Sequence, residues 1–368
     1  MSDFATLIKP ASSLCNMRCR YCFYADECAV RSIKSYGIMS ADTAHKVIDR
    51  AYELTSSGNV LFAFQGGEPL VAGYDYFTDF VAYAKKNKPV QVNLSFSLQT
   101  NGTPIDEKWC ALFKENNFLI GLSLDGPENI NDVCRVDAEK KGTYRRVVSA
   151  ARMMKKAGVD FNILSVVTKY SAAHPLQVWK FYKQNDFGFV QFIPCLAPLE
   201  EYETFDYTLT PSDYSNFLKV LFNAWADDFE KGKYTSVRLF DNLVRMAMGE
   251  RPEMCGMLGS CGVQFVIEAD GGVYPCDFYV LDDYLAGNVH DSSFKDIFAS
   301  ETMQRFLKES DKPAACPDCR FFPICRGGCK RYRSFYSLDP EKCPYADFLE
   351  SSYKRINAIA NMIKNKKY

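Results

Sequence analysis

The chain has 368 residues, 47% of them hydrophobic, which is enough for one large domain or two ordinary ones. Lys and Arg number 44 against 45 Asp and Glu, so the net charge is −1 and no broad basic field invites nucleic acid. The start, MSDFATLIKPASS, lacks the basic and apolar regions of a signal peptide, and no window approaches 18 uncharged apolar residues, so a cytoplasmic protein without a membrane span is expected.

From residue 6 to about 196, short apolar runs alternate with amphipathic stretches. The runs are TLIK (6–9), VLFAF (60–64), VQVNLSFSL (90–98), FLIGLSL (118–124), VDFNILSVVT (159–168) and FVQFI (189–193). Between them SADTAHKVIDRAYELT (40–55) opens on a serine able to cap a helix and places apolar residues at helical spacing, and four later stretches follow the same rule. Strand and helix alternating six times predict a parallel sheet with right-handed crossovers. Ligands then sit beyond the carboxyl ends of the strands, whether the sheet closes into a partial barrel or stays open. The loops at those ends are distinctive: CNMRCRYC, QGGEP, QTNGT and DGPE. Further on, helices are expected at 210–231, 236–249, 293–308 and 345–365, with a hairpin around Asp270-Gly271-Gly272.

Fifteen cysteines are many for a reducing compartment, and an odd number cannot pair fully as disulfides. They cluster at 15, 19, 22 and 28; at 255, 261 and 276; and at 316, 319, 325, 329 and 343. With only three histidines in the chain, this points to thiolate-rich zinc or iron–sulfur sites. Cys15, Cys19 and Cys22 offer three ligands on one loop. A 4Fe–4S cluster bound by three thiolates keeps one iron open, whereas a zinc knuckle would recruit Cys28 as the fourth. The isolated Cys110, Cys134 and Cys195 read as small apolar packing residues.

CxxxCxxC with an aromatic residue, Tyr21, before the last cysteine resembles the radical S-adenosylmethionine superfamily. QGGEP, after the second strand, looks like that superfamily's glycine-rich loop. The resemblance implies that Cys15, Cys19 and Cys22 hold a 4Fe–4S cluster whose open iron chelates S-adenosylmethionine, and that Cys28 is not a ligand. It assigns cofactor contacts to Tyr21, Gly67, Ser123, Arg135 and Leu196. Ser123 as a strand-end serine, Arg135 as a surface arginine and Leu196 as core packing are the plain alternatives.

Cys261, Gly271, Cys276, then Cys316-x2-Cys319-x5-Cys325-x3-Cys329 and Cys343, is similar to the SPASM pattern of peptide-modifying radical enzymes. That resemblance implies two closed auxiliary 4Fe–4S clusters, making three with the first. Cys255, Cys261, Cys276 and Cys329 would hold one, and Cys316, Cys319, Cys325 and Cys343 the other. Two zinc ribbons, or a local pairing of Cys316 to Cys329, are the alternatives. The expected fold is a partial (β/α)6 TIM-like barrel over 1–235 with an iron–sulfur extension over 236–368.

Across about 7 to 345, with DGGVYPCDFYVLD foremost, the chain resembles the anaerobic sulfatase-maturating enzymes. Such a resemblance implies oxidation of a Cys or Ser in a sulfatase CxPxR or SxPxR segment to Cα-formylglycine. Asp277 would be the proton acceptor, with Asp282 the runner-up carboxylate, and Tyr24 and Gln65 would line the active site. A loop aspartate bonding nearby backbone is the plain reading of Asp277. An electron donor such as flavodoxin or ferredoxin is implied, acting on a monomer. Another SPASM enzyme, forming thioether or carbon–carbon crosslinks or epimerising a residue, is the competing activity. The first strand starts so early that no leader-binding domain is expected before it, which favours the maturase. A non-catalytic metal scaffold is the competing class, and it has no use for QGGEP or Asp277.

Overall fold

The computed structural model describes residues 3–199, 205–308, 312–338 and 343–366. The chain divides into two compact units. One comprises residues 1–123, 135–161 and 262–309, and the other 124–134, 162–261 and 310–368.

In the first unit β1 (Asp3–Ile8), β2 (Ser57–Phe64), β3 (Gln91–Thr100) and β4 (Phe118–Ser123) pair in parallel and in chain order. These are the apolar runs expected from the sequence, a residue or three longer at some ends. Phe62, Phe64, Leu98 and Ile120 are wholly buried, as parallel strands covered on their faces require. The helix Ala41–Leu54 begins as expected, with the Ser40 side chain accepting the Thr43 N–H. Phe62, Phe64, Phe77 and Phe80 meet edge to face where the helix Tyr74–Asn87 packs on the sheet.

The second unit holds β5 (Asp160–Val167) from residue 162 onward, β6 (Phe189–Pro194) and β7 (Ser236–Val237), again parallel. The two-residue β7 is too short to show any periodicity in sequence. Helices Pro211–Glu230 and Pro344–Lys366 bury Phe222, Trp225, Phe348 and Ile359 together with Phe240.

The expected hairpin is present, with an unforeseen attachment. Its strands β8 (Val266–Ile267) and β9 (Gly272–Tyr274) are antiparallel, and β10 (Gly287–Asn288) pairs with β9. β8 docks in parallel on the free edge of β1, with Ile8 beside Ile267. The hairpin thus satisfies an edge that would otherwise expose unpaired backbone groups. Residues 262–309, grouped by sequence with the C-terminal extension, therefore pack within the first unit. Gly271 makes the hairpin turn at φ +87, where a Cβ would meet Asn288 Oδ1 at 2.8 Å. Among the described residues no helix is long and apolar enough to cross a membrane.

Candidate functional site

The cysteine loop leaves the carboxyl end of β1 and is held mainly by backbone. Gly67 N–H donates to Ser12 O and Glu68 N–H to Leu14 O, both at 2.8 Å, while Arg18 N–H donates to Val136 O at 2.7 Å. The glycine is obligatory, because a Cβ on residue 67 would sit 2.2 Å from Leu14 O. Arg18 Nη1 closes the loop from inside by donating to the carbonyls of Cys15 and Met17. Asn101, in the loop after β3, donates to Asn16 Oδ1 at 2.8 Å and approaches Cys15 Sγ at 3.9 Å.

The three thiols are half-buried. Burial pushes the Cys15 thiol up to about 11, with the field of Glu68 adding to it and the Met17 N–H opposing. Burial raises Cys22 as well. Bare thiolates are disfavoured there, so a cationic metal centre is the natural partner that would hold them deprotonated. Cys28 is engaged elsewhere. Its sulfur accepts from Arg31 Nη2 at 3.0 Å, within a buried cluster of Tyr24, Val266, Tyr274 and Val280.

Glu68 is the buried keystone of QGGEP. Its Oε1 accepts from Thr100 Oγ1 at 2.8 Å and from Leu70 N–H at 3.1 Å, and its Oε2 accepts from Asn101 N–H at 2.8 Å. Burial raises its carboxyl to about 7 despite these donors. One side chain thus ties the loops after β2 and β3 together directly beneath the cysteine loop.

Asp277 lies in the loop after β9 and is 8% exposed. Its Oδ1 accepts from Lys9 Nζ at 2.6 Å and its Oδ2 from Gln65 Nε2 at 2.5 Å. Lys9 and Gln65 are the first residues past β1 and β2, and Gln65 N–H is anchored on Ile8 O at 2.9 Å. The carboxylate is therefore presented at the carboxyl ends of two parallel strands, with a wholly buried ammonium as its counter-charge. Tyr24 is 2% exposed, lies with its ring under Lys9 Nζ at 3.7 Å, and donates its hydroxyl to Glu268. Burial, reinforced by Glu268, raises that phenol well above its ordinary range, so it stays a neutral donor. Asp282 accepts instead from the backbone N–H and hydroxyl of Ser32 at the surface, bonds that lower its carboxyl. It is not grouped with Asp277, Lys9 and Gln65.

Among the residues that the resemblance assigns to cofactor contact, Arg135 is buried rather than surface-exposed, with its guanidinium 5.5 Å from the centre of the Tyr21 ring. Ser123 ends β4 and is half-buried. Leu196 lies in the second unit, two residues past β6 and half-buried. Cys110, Cys134 and Cys195 are buried, as small packing residues should be, and burial raises Cys195 to about 12.

In the second unit the thiols of Cys316, Cys319, Cys325 and Cys343 lie within one another's electrostatic reach. Cys329 falls instead within reach of Cys255 and Cys261, and Gly256 packs against its Cβ. This grouping is crossed relative to sequence order. Cys276 belongs to the first unit, at the end of the β9 segment. Among the described residues no three His, Cys, Asp or Glu side chains converge closely enough for one ion.

Lys9, Arg31 and Glu268 escape a sequence reading. Lys9 could have been flagged as the polar residue ending an apolar strand. Arg31 and Glu268 carry no such mark, because only folding brings them together across 237 residues.

A family model described as the radical SAM superfamily matches residues 10–177, and one described as an iron–sulfur cluster-binding domain matches residues 260–320. A cysteine-type anaerobic sulfatase-maturating enzyme of Clostridium novyi (strain NT) is 44% identical over 333 residues, spanning 90% of this chain and 89% of that protein. A serine-type counterpart from Bacteroides thetaiotaomicron is 29% identical over 97% of this chain and 94% of its own length. The solved structure of native anSMEcpe with bound AdoMet and Cp18Cys peptide is similar at a TM-score of 0.91 and 42% identity, covering 98% of this chain and 99% of that one.

Proposed function

The chain belongs to the anaerobic sulfatase-maturating enzymes of the radical SAM superfamily, and on that premise we propose that it oxidises a cysteine in a CxPxR segment of a sulfatase to Cα-formylglycine. Serine in SxPxR is the second target. Cysteine is preferred because the cysteine-type relative is 44% identical and the serine-type relative 29%.

The single observation that carries the reading is the Asp277 carboxylate, held between Lys9 and Gln65 at the carboxyl ends of β1 and β2. A general base must be fixed within reach of the proton it takes, and this one is held at both oxygens. S-adenosylmethionine on the first cluster would supply the 5′-deoxyadenosyl radical that removes the Cβ hydrogen atom. Asp277 then accepts the proton of the target thiol or hydroxyl, with Gln65 and Lys9 keeping its oxygens aimed, while the remaining electron would leave to an auxiliary cluster. Serine gives the aldehyde directly, and cysteine gives a thioaldehyde that water hydrolyses with loss of hydrogen sulfide. Cys15, Cys19 and Cys22 would hold the first cluster, with the peptide amides of Gly67 and Glu68 fixing the shape of their loop. Tyr21 and Arg135, whose guanidinium lies 5.5 Å from the Tyr21 ring centre, would contact S-adenosylmethionine, and Ser123 and Leu196 are kept as cofactor contacts. Cys316, Cys319, Cys325 and Cys343 would hold one auxiliary cluster, and Cys255, Cys261, Cys276 and Cys329 the other. An electron donor of flavodoxin or ferredoxin type, a monomeric state and a cytoplasmic location complete the reading. The cysteines are not joined as disulfides, which suits a reducing compartment.

The test is anaerobic incubation with CxPxR and SxPxR peptides, following peptide mass and 5′-deoxyadenosine together. Asp277→Asn should lower formylglycine output by roughly 10²- to 10⁴-fold, the range of a lost general base, while S-adenosylmethionine cleavage continues. Unchanged output from Asp277→Asn would remove Asp277 from the role.

A further inference from the structure

Two buried ion pairs stand side by side next to the cysteine loop, and the proposed reaction uses only one of them. Lys9 pairs with Asp277 at 2.6 Å, and Arg31 pairs with Glu268 at 2.7 Å. Lys9, Arg31 and Glu268 have wholly buried side chains.

The arrangement is not the simplest available. Ile8 and Ile267 are register partners on parallel strands, so Lys9 and Glu268 leave those strands at the same level as adjacent opposite charges. Lys9 N–H even donates to Ile267 O at 2.8 Å. Lys9 nevertheless reaches Asp277, and Glu268 turns to Arg31. The Tyr24 side chain touches both Lys9 and Glu268. Lys9 Nζ rests on its face, 3.7 Å from the ring centre, and its hydroxyl donates to Glu268 Oε1, the oxygen that also receives Arg31 Nη1. Glu268 Oε2 is held by the N–H of Ala269 at 2.9 Å. Arg31 is fixed in turn by Cys28 Sγ at 3.0 Å and Lys34 O at 3.3 Å.

We infer that Arg31 is a positioning residue for the reaction: it occupies Glu268 so that this buried carboxylate cannot draw Lys9 away from Asp277. This rests on the reading of Asp277 as the proton acceptor. Buried ionic groups often choose one pairing among several, and removing one partner leaves the other seeking a new counter-charge. Arg31→Met leaves Glu268 unpaired beside Lys9, whose ammonium then swings to it and leaves Asp277. Glu268→Gln removes the competitor, so Lys9 keeps Asp277. The two substitutions break the same ion pair but have opposite consequences for Lys9.

The readout is the number of formylglycines formed from a CxPxR peptide per 5′-deoxyadenosine released, with iron content and the S-adenosylmethionine cleavage rate as checks on folding. Arg31→Met should lower that ratio by roughly tenfold or more, below the loss from removing the base outright. Glu268→Gln should lower it far less, and Arg31→Met combined with Glu268→Gln should recover most of what Arg31→Met loses. Equal losses in both single variants, with no recovery in the double, overturn the inference and leave Asp277 standing on its own Asp277→Asn test. If Arg31→Met yields no folded protein, the other two variants decide: a tenfold loss of coupling in either one overturns the inference. Full output from Asp277→Asn would instead defeat the base reading, and the inference with it, whatever the Arg31 series shows.

Discussion

The two cysteine-rich regions solve the same problem by opposite means. The loop after β1 carries only three thiols, but its backbone is gripped from outside by Gly67, Glu68 and Val136. The segment 316–338, with Cys343, supplies four grouped thiols, and 316–338 is built from short self-made turns, such as Cys319 N–H to Cys316 O at 3.2 Å and Gly328 N–H to Cys325 O at 2.9 Å. A region shaped by neighbouring strands should keep its form without a metal. A region shaped by its own turns and thiols should depend on the metal it would hold.

The largest test of that contrast is removal of one thiol from each. Cys19→Ala should abolish 5′-deoxyadenosine formation and lower iron from about twelve to about eight per chain, as expected for loss of one four-iron cluster. Retained cleavage of S-adenosylmethionine in Cys19→Ala would break the assignment. Next comes the grip itself. Gly67→Ala should lower S-adenosylmethionine cleavage by roughly 10- to 100-fold with all fifteen cysteines intact, because a Cβ would meet Leu14 O at 2.2 Å and backbone must move. Wild-type turnover would show that the loop yields without cost.

A third comparison uses chelation of iron under anaerobic conditions. Amide hydrogen exchange should rise steeply across 312–338 and only modestly across 9–22. Equal loss of protection in the two segments would erase the distinction between them.

The smallest effect concerns Glu68. Its carboxyl is raised to about 7 by burial from an ordinary 4.5. Between those values the folded chain holds a proton that the unfolded chain has released, so this group's contribution to stability falls as pH rises through that window. Glu68→Gln should flatten the pH dependence of the melting temperature between pH 5 and 7, a change of a few degrees at most, read by thermal melts of wild type and variant. A wild-type slope that survives the substitution would place the titrating group elsewhere.

Much of the scaffold was legible in the chain itself. Strands buried on both faces must be continuous apolar runs, and amphipathic helices must repeat every 3.6 residues, so β1 to β6 and the long helices carry local signatures. β7 and the docking of β8 on β1 carry none: two-residue strands have no period, and an edge is filled by whatever backbone reaches it. The cysteine spacings were equally local, while the crossed grouping of Cys329 with Cys255 and Cys261 was carried by a family pattern and not by proximity in sequence.

The chemistry-bearing residue types were thus written in the sequence: three thiols on one loop, a glycine-rich turn and an aspartate beside a cysteine. Their partners were decided by folding alone. Lys9 meets Asp277 across 268 residues and Gln65 meets it across 212. Arg31, Glu268 and Tyr24 form a buried network that no periodicity announces. Local signals follow from backbone geometry, which acts over a few residues. Buried charges choose counter-charges through space, and only the tertiary structure determines which ones come within reach.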